Sequence, residues 1–171
     1  MRRSNGVLAL LGFAGGVAGA AWIGSRYSPA DLKTRLWYRR LKKPSFNPPD
    51  SVFPVVWTFL YACMAISGWR VWIQGDSPER TKALRLWIGQ LISNAEWTRL
   101  FFGEHLPKWS LAEVLTLEAA VVRYILEARN VDKAAAALFV PYAAWLAFAA
   151  LLNEEIVRRN PDGAEMFPQS A

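Results

Sequence analysis

Apolar residues fall in blocks along this chain. Residues 5–25, 51–69 and 134–153 contain no charged side chain. Each block is about 20 residues, and a helix of that length, at 1.5 Å per residue, crosses the roughly 30 Å hydrocarbon core of a bilayer. A helix that is apolar all round needs lipid or the centre of a large protein around it. Three such helices in one short chain point to a membrane.

Two further stretches are less clean. Residues 83–103 carry Arg85, Glu96 and Arg99, and residues 109–128 carry Glu113, Glu118, Arg123 and Glu127. Both have helical length, few interior breakers and aromatic residues at their ends. Their charges are expected to face the bundle interior, a neighbouring helix or the interface, and Glu96 and Arg99 have the i,i+3 spacing of an ion pair. The links at 75–78, 104–108 and 130–133 read as turns. The pattern predicts an all-α integral membrane bundle of five transmembrane helices. One domain covers residues 1–160, and residues 161–171 form a polar tail expected to be disordered.

The first block has a rival reading. Arg2 and Arg3, the apolar run and Ala18-Gly19-Ala20 are also the layout of a cleavable signal peptide. The run is long for that, and Gly12xxxGly16 and Gly15xxxGly19 suit close packing of a retained helix. The retained helix is the preferred reading. Basic residues near the helix ends then set the topology. One side holds Arg2, Arg3, Arg80, Lys82, Arg129 and Lys133. The other holds seven in the first loop, from Arg26 to Lys43, with Lys108, Arg158 and Arg159. The excess places the N-terminus outside and the C-terminus in the cytoplasm of a bacterial cell.

Composition changes this picture little. The 171 residues are 53% hydrophobic with a net charge of +6, and the mean hydropathy is only +0.12. The basic first loop accounts for the charge and would lie beside anionic lipid headgroups, so nucleic acid is not needed as a partner, and no nucleic-acid motif is present. One cysteine, Cys63, excludes an internal disulfide, and with one histidine, His105, no Cys/His zinc set exists; no metal site is expected. No nucleophile–base pair and no glycine-rich phosphate loop is evident. His105, in a short loop, reads as solvated, and Cys63 as a small buried hydrophobe. The nine tryptophans are the unusual feature.

The order of residues is more specific. The first loop reads Trp37-Tyr38-Arg39-Arg40-Leu41-Lys42-Lys43-Pro44-Ser45-Phe46-Asn47-Pro48-Pro49. The third segment carries Asn94, Trp97 and Phe101-Phe102-Gly103, and the fifth carries Pro141-Tyr142, Trp145, Phe148-Ala149 and Leu152-Asn153. These strings, WYxxLxKPxFxPP, NxxWxxxFFG and PYxxWxxFAxxLN, resemble the translocator protein family, the tryptophan-rich sensory or peripheral benzodiazepine receptor proteins. The likeness runs from about residue 15 to 160. It implies five transmembrane helices, a homodimer, and a cavity that binds porphyrins such as protoporphyrin IX, covered by the loop before the second helix. No cofactor is required. Some bacterial members resemble a light-dependent porphyrin-degrading catalyst, and others sensors, regulators or transporters of tetrapyrroles.

The helical spacing fits such a wall. Trp57, Tyr61, Met64, Gly68 and Trp72 share one face of the second segment. Gln90, Asn94, Trp97 and Phe101 share a face of the third, and Tyr142, Trp145, Ala149 and Leu152 a face of the fifth. A flat, apolar tetrapyrrole needs rings to stack on and a few polar groups to orient it. Aromatic stripes also arise from plain packing, and tryptophans near helix ends anchor the interface; Trp22, Trp69, Trp72, Trp87 and Trp109 fit that second role. Trp57 and Trp145 lie inside apolar spans and match cavity positions of the family, and Tyr38 and Trp37 match its covering loop. The expected ligand-binding set is Tyr38, Trp57, Tyr61, Gln90, Asn94, Trp97, Tyr142, Trp145, Ala149 and Leu152. If porphyrin degradation occurs, the resemblance implies Trp57 and Trp145 as its oxidisable catalytic rings. Asn94 is either a helix–helix hydrogen bond or a ligand contact, and Asn153 reads as structural. Pro48-Pro49 stiffens the approach to the second helix, and Pro141 removes one hydrogen bond from the fifth.

Some positions depart from the family pattern. Ser51 stands where many members have tryptophan, and Ala95, Glu96 and Thr98-Arg99 replace apolar residues and proline. Arg99 could meet a porphyrin carboxylate, but snorkelling to the interface or pairing with Glu96 is the preferred reading. The family's cholesterol motif is lost at Glu154, so cholesterol is not expected as a partner. A structural membrane protein without ligand remains the third reading.

Overall fold

The computed structural model describes residues 2–27 and 32–161, with side chains from Gly6 onward. The expected tail, from Asp162 on, and the side chains of Arg2 and Arg3 lie outside the described residues.

Among the described residues six α-helices follow one another: α1 (Arg2–Ser25), α2 (Leu32–Arg40), α3 (Val52–Trp72), α4 (Pro78–Thr98), α5 (Pro107–Arg129) and α6 (Lys133–Arg159). Five are the expected spans. The sixth, α2, is a nine-residue helix within the basic loop that the hydropathy pattern did not predict. In α1, α3 and α6 the spans are long and apolar enough to cross a membrane. The other two, α4 and α5, have 21 and 23 residues and carry the charges.

Local sequence sets the helix ends. Ser77 caps α4, its Oγ accepting from the Arg80 N–H at 3.1 Å, and Pro78 follows at the first helical position, where its missing N–H costs nothing. Asp132 caps α6 by accepting from the Ala135 N–H at 2.7 Å. The same carboxylate receives both arms of Arg70 from α3, at 3.2 and 2.9 Å, and the Gln74 amide at 3.1 Å. Burial works against the charge on Asp132, yet Arg70 and the Ala135 N–H hold its carboxyl below the usual carboxylate range.

Packing runs α1 against α3 and α4, α3 against α6, and α5 between α4 and α6. The core is built from Leu60, Met64, Trp87, Val114, Leu117, Tyr124, Phe139, Tyr142 and their neighbours. Gly68 is a point of close approach. A Cβ there would lie 2.6 Å from the Phe13 ring and 2.7 Å from the Trp87 indole. Trp87 is therefore not an interface anchor, as its place in the sequence suggested. It is buried between helices, and its indole N–H donates to the Met64 carbonyl at 2.9 Å. Trp22, Trp72 and Trp109 are exposed as anchors should be, and Arg26 and Arg80 lie over the Trp22 and Trp72 rings.

Of the glycines in Gly12xxxGly16 and Gly15xxxGly19, only Gly16 comes near another helix within this chain, a Cβ there lying 3.7 Å from the Trp87 ring. A Cβ on Gly12, Gly15 or Gly19 would meet nothing within 4 Å, because α1 packs through Phe13, Val17 and Ala20 instead.

Most charges of the two charged spans are paired or lie near a helix end; Glu118, half-buried in the middle of α5, is the exception, its Oε2 having no hydrogen-bond partner among the described residues. Glu113 on α5 accepts from the Ser93 hydroxyl on α4, and Glu127 pairs with Lys82 at 2.5 Å. Glu96 and Arg99 pair at 2.6 Å. Arg85 and Arg123 are exposed within two turns of the helix ends, from where a guanidinium snorkels to the interface.

Candidate functional site

At the end of α4 the backbone changes pitch. Arg99–Gly103 forms a π-helical turn, closed by the Glu104 N–H donating to the Arg99 carbonyl at 2.8 Å. Such turns rotate the following side chains relative to an ordinary helix and recur at functional sites. Here Phe101 and Phe102 come to line a cavity alongside Trp97. Gly103 is required at the exit: a Cβ would sit 2.7 Å from the Tyr27 ring.

The cavity measures about 820 Å³, within the roughly 300–1,000 Å³ range of small-molecule sites. It occupies one half of the bundle, between the C-terminal ends of α1, α4 and α6, the N-terminal half of α3 and the side of α5. From above, α2 covers it. Trp57 and Tyr61 come from α3, Asn94 and Trp97 from α4, and Trp145, Ala149 and Leu152 from α6. Tyr38 reaches it from α2. Of the ten expected residues, these eight meet on one wall.

The other two, Gln90 and Tyr142, lie behind that wall. Both are completely buried in the core. Gln90 donates to the Trp87 carbonyl at 3.1 Å on its own helix. The Tyr142 hydroxyl accepts from the Asn94 amide at 2.9 Å, and its ring meets Trp57 edge-on at 6.1 Å. These residues therefore support the lining and do not form it. A stripe with a 3–4 residue period covers more arc than one cavity can see, and its far edge falls into the core. The same holds on α3, where Met64 and Gly68 are core residues. Asn94 does both jobs left open for it: it bonds across to α6 and borders the cavity.

Asn153 ties the wall together. Its Oδ1 accepts from the Trp97 indole N–H at 3.3 Å and from the Ser110 hydroxyl at 3.0 Å, while its amide donates to the Pro107 carbonyl at 2.8 Å. Three helices are joined through one 2%-exposed side chain. Trp57 and Trp145 differ: among the described residues neither indole N–H has a hydrogen-bond partner. Their rings are braced, Trp57 against Tyr61 at 5.2 Å and Trp145 against Phe148 at 5.5 Å. They are free donors on a mostly apolar wall.

The cover buries its own apolar residues against the bundle. Trp37, Tyr38 and Leu41 form a small cluster with Phe101, Leu152 and Ile156. Trp37 is fully buried beneath the cover and does not reach the cavity. His105 is not simply solvated. Its ring stacks on Trp37 at 4.3 Å, its Nε2 lies 3.4 Å from the Thr34 hydroxyl, and its φ is 55°. The Lys42 N–H donates to Asn160 Oδ1 at 3.1 Å, fixing the loop to the end of α6. Lys43 rests on the Tyr38 ring at 3.7 Å. Burial, with the nearby charge of Asp50, pushes the Tyr38 phenol up to about 12, so it stays neutral.

The bundle, its motifs and its cover can be compared with known proteins. A profile of the TspO/MBR family matches residues 10–159. The chain belongs to that family. It is 36% identical over 126 residues to the translocator protein of Homo sapiens, covering 72% of this chain and 75% of that one. It is 37% identical over 140 residues to the tryptophan-rich protein TspO of Chlorobaculum tepidum, covering 81% and 87%. It is 38% identical over 130 residues to the tryptophan-rich sensory protein of Cereibacter sphaeroides, covering 75% and 80%. As a TspO/MBR member with three strongly apolar spans, the chain is a membrane protein.

Several lining residues of this TspO/MBR chain were missed in the sequence. Phe53, Phe102, Val114 and Leu117 border the cavity, as do Arg35 and Arg39. The Phe101-Phe102-Gly103 string was the available signal for Phe102. Nothing in the charge-bearing α5 segment distinguished Val114 and Leu117 from ordinary packing. Arg99 is absent from the lining, because Glu96 holds it in a two-pronged pair and Glu104 takes its remaining nitrogen at 3.1 Å.

Proposed function

We propose that this protein binds a tetrapyrrole, protoporphyrin IX or a close relative, within the membrane, and acts as a sensor, regulator or transporter of porphyrins. The observation that carries the reading is the wall itself. Trp57, Tyr61, Trp97 and Trp145 surround one cavity of about 820 Å³, and two of their indole N–H groups are unengaged. Flat rings suit the faces of a macrocycle, and the free donors and the Asn94 amide suit its few polar atoms. The name of the Cereibacter sphaeroides relative, a sensory protein, agrees with a signalling role.

A second reading is light- and oxygen-dependent degradation of the bound porphyrin. What favours it is the presence of two oxidisable indoles, Trp57 and Trp145, on that wall. The bland reading is a structural membrane protein whose aromatic residues only pack.

One experiment separates the three. The detergent-purified protein is titrated with protoporphyrin IX, following tryptophan fluorescence in darkness and under light. Saturable quenching is expected. Its absence overturns both ligand readings. Quenching with no new absorbing product under light leaves binding alone, and a new product supports degradation.

A further inference from the structure

The cavity wall is apolar and neutral except at its mouth. Three charged residues border it there: Arg35 and Arg39 on α2, and Asp50 just before α3. Arg35 and Arg39 are four residues apart on one helix, so they project from the same side about 6 Å apart at Cβ. Both are exposed, one turn apart along the edge of the cover, and Tyr38 between them is buried. The opposing charge of Asp50 is shared with Lys43, which feels its field.

Several other cations at this end of the bundle are engaged, Arg35 and Arg40 among them. Arg99 is held by Glu96 and Glu104, and Arg158 and Arg159 by Glu155 at 2.6 and 2.7 Å. Arg39 is different. Among the described residues it has no hydrogen-bond or ion-pair partner, and apart from Arg35 and Asp50 it borders a cavity lined by aromatic, aliphatic and neutral polar groups. A guanidinium in that place offers a fork of donors to a carboxylate at the boundary of the apolar space.

We propose that Arg39, with Arg35 beside it, is a carboxylate clamp that selects ligands carrying acid groups on one edge. This rests on the tetrapyrrole reading: the macrocycle enters the aromatic wall, and its two propionates stay at the mouth against the arginines. An apolar ligand without acid groups gains nothing from this rim. The clamp thus separates dicarboxylic tetrapyrroles from neutral compounds of similar size.

The test compares protoporphyrin IX with its dimethyl ester, in nanodiscs of phosphatidylcholine so that no anionic lipid competes. Wild type is expected to bind the free acid more tightly than the ester. Arg39→Gln should weaken free-acid binding roughly 3–10-fold, as expected for a partly exposed charge-assisted hydrogen bond, and leave ester binding unchanged. Arg35→Gln should act in the same direction more weakly, and Arg39→Lys should recover part of the loss. Thermal midpoints of the ligand-free variants report folding independently. Equal binding of acid and ester by wild type, or an equal loss of both in Arg39→Gln, overturns the clamp and leaves the cavity reading standing. No quenching by either porphyrin overturns the tetrapyrrole reading and the clamp with it.

Discussion

Replacing Asn153 with leucine removes the knot between α4, α5 and α6 while keeping the side chain's volume. The wild-type amide makes two bonds that nothing else replaces: from the Trp97 N–H at 3.3 Å and to the Pro107 carbonyl at 2.8 Å. Ser110 keeps an acceptor, because its hydroxyl also reaches the Pro107 carbonyl at 2.9 Å. Side-chain hydrogen bonds in membrane proteins average about 0.6 kcal/mol, so the two account for about 1.2 kcal/mol. The stranded Trp97 N–H adds about 1 kcal/mol, the low end for a buried unsatisfied donor. The expected loss is about 2 kcal/mol, read by equilibrium unfolding in mixed micelles. Trp97→Phe removes the donor, so part of the Asn153→Leu cost disappears in its presence. The double variant should be about 1 kcal/mol more stable than the sum of the singles predicts. Because Trp97 also stacks on Phe101 at 5.5 Å and 16°, Asn153→Leu should weaken porphyrin binding as well. Additivity within about 0.3 kcal/mol would refute the coupling and the idea that Asn153 holds the wall.

Further outcomes follow from other contacts. Gly68→Ala pushes a methyl group into the Phe13 and Trp87 rings and should cost about 1–3 kcal/mol by overpacking, seen as a lowered thermal midpoint that Phe13→Leu partly restores. His105→Ala loses the stack on Trp37, worth about 1 kcal/mol; limited proteolysis at the α2 loop should quicken while the midpoint of the bundle hardly moves. Asp132→Asn keeps an acceptor at the α6 cap but loses the charge facing Arg70. The folded carboxyl lies below its unfolded value of about 3.9, so its stabilisation is complete above that pH and fades as pH falls through the folded value. Wild type should therefore exceed Asp132→Asn in midpoint at pH 7, and the gap should close below about pH 4.

Three spans were legible because apolar runs of about 20 residues have few other uses, and the two charged ones because of their helical length and because Ser77, Pro78 and Pro107 mark helix starts in the ordinary way. The short α2 was not, since its mean composition is polar and only Thr34, Trp37 and Tyr38 turn inward. Eight wall residues were legible from spacing joined to the family strings. Gln90 and Tyr142 shared those stripes but fell on their buried edge, which depends on how each helix is rotated and cannot be read from period alone. The part played by Trp87 was hidden for a related reason: a tryptophan ten residues from the Ser77 cap looks like an anchor until the gap at Gly68 is seen to receive it. His105 needed the fold, because its partner Trp37 lies 68 positions away in the chain and its backbone must adopt φ 55° to meet it.

The central claim is that Trp57 and Trp145 form the face on which a porphyrin lies. The most direct measurement is the dissociation constant of protoporphyrin IX for wild type and for Trp57→Phe/Trp145→Phe, in darkness, by absorbance of the bound porphyrin. Smaller rings without the N–H donors should cost about 1–2 kcal/mol together, raising the constant roughly 5–30-fold with the ligand-free midpoint little changed. An unchanged constant would contradict the claim.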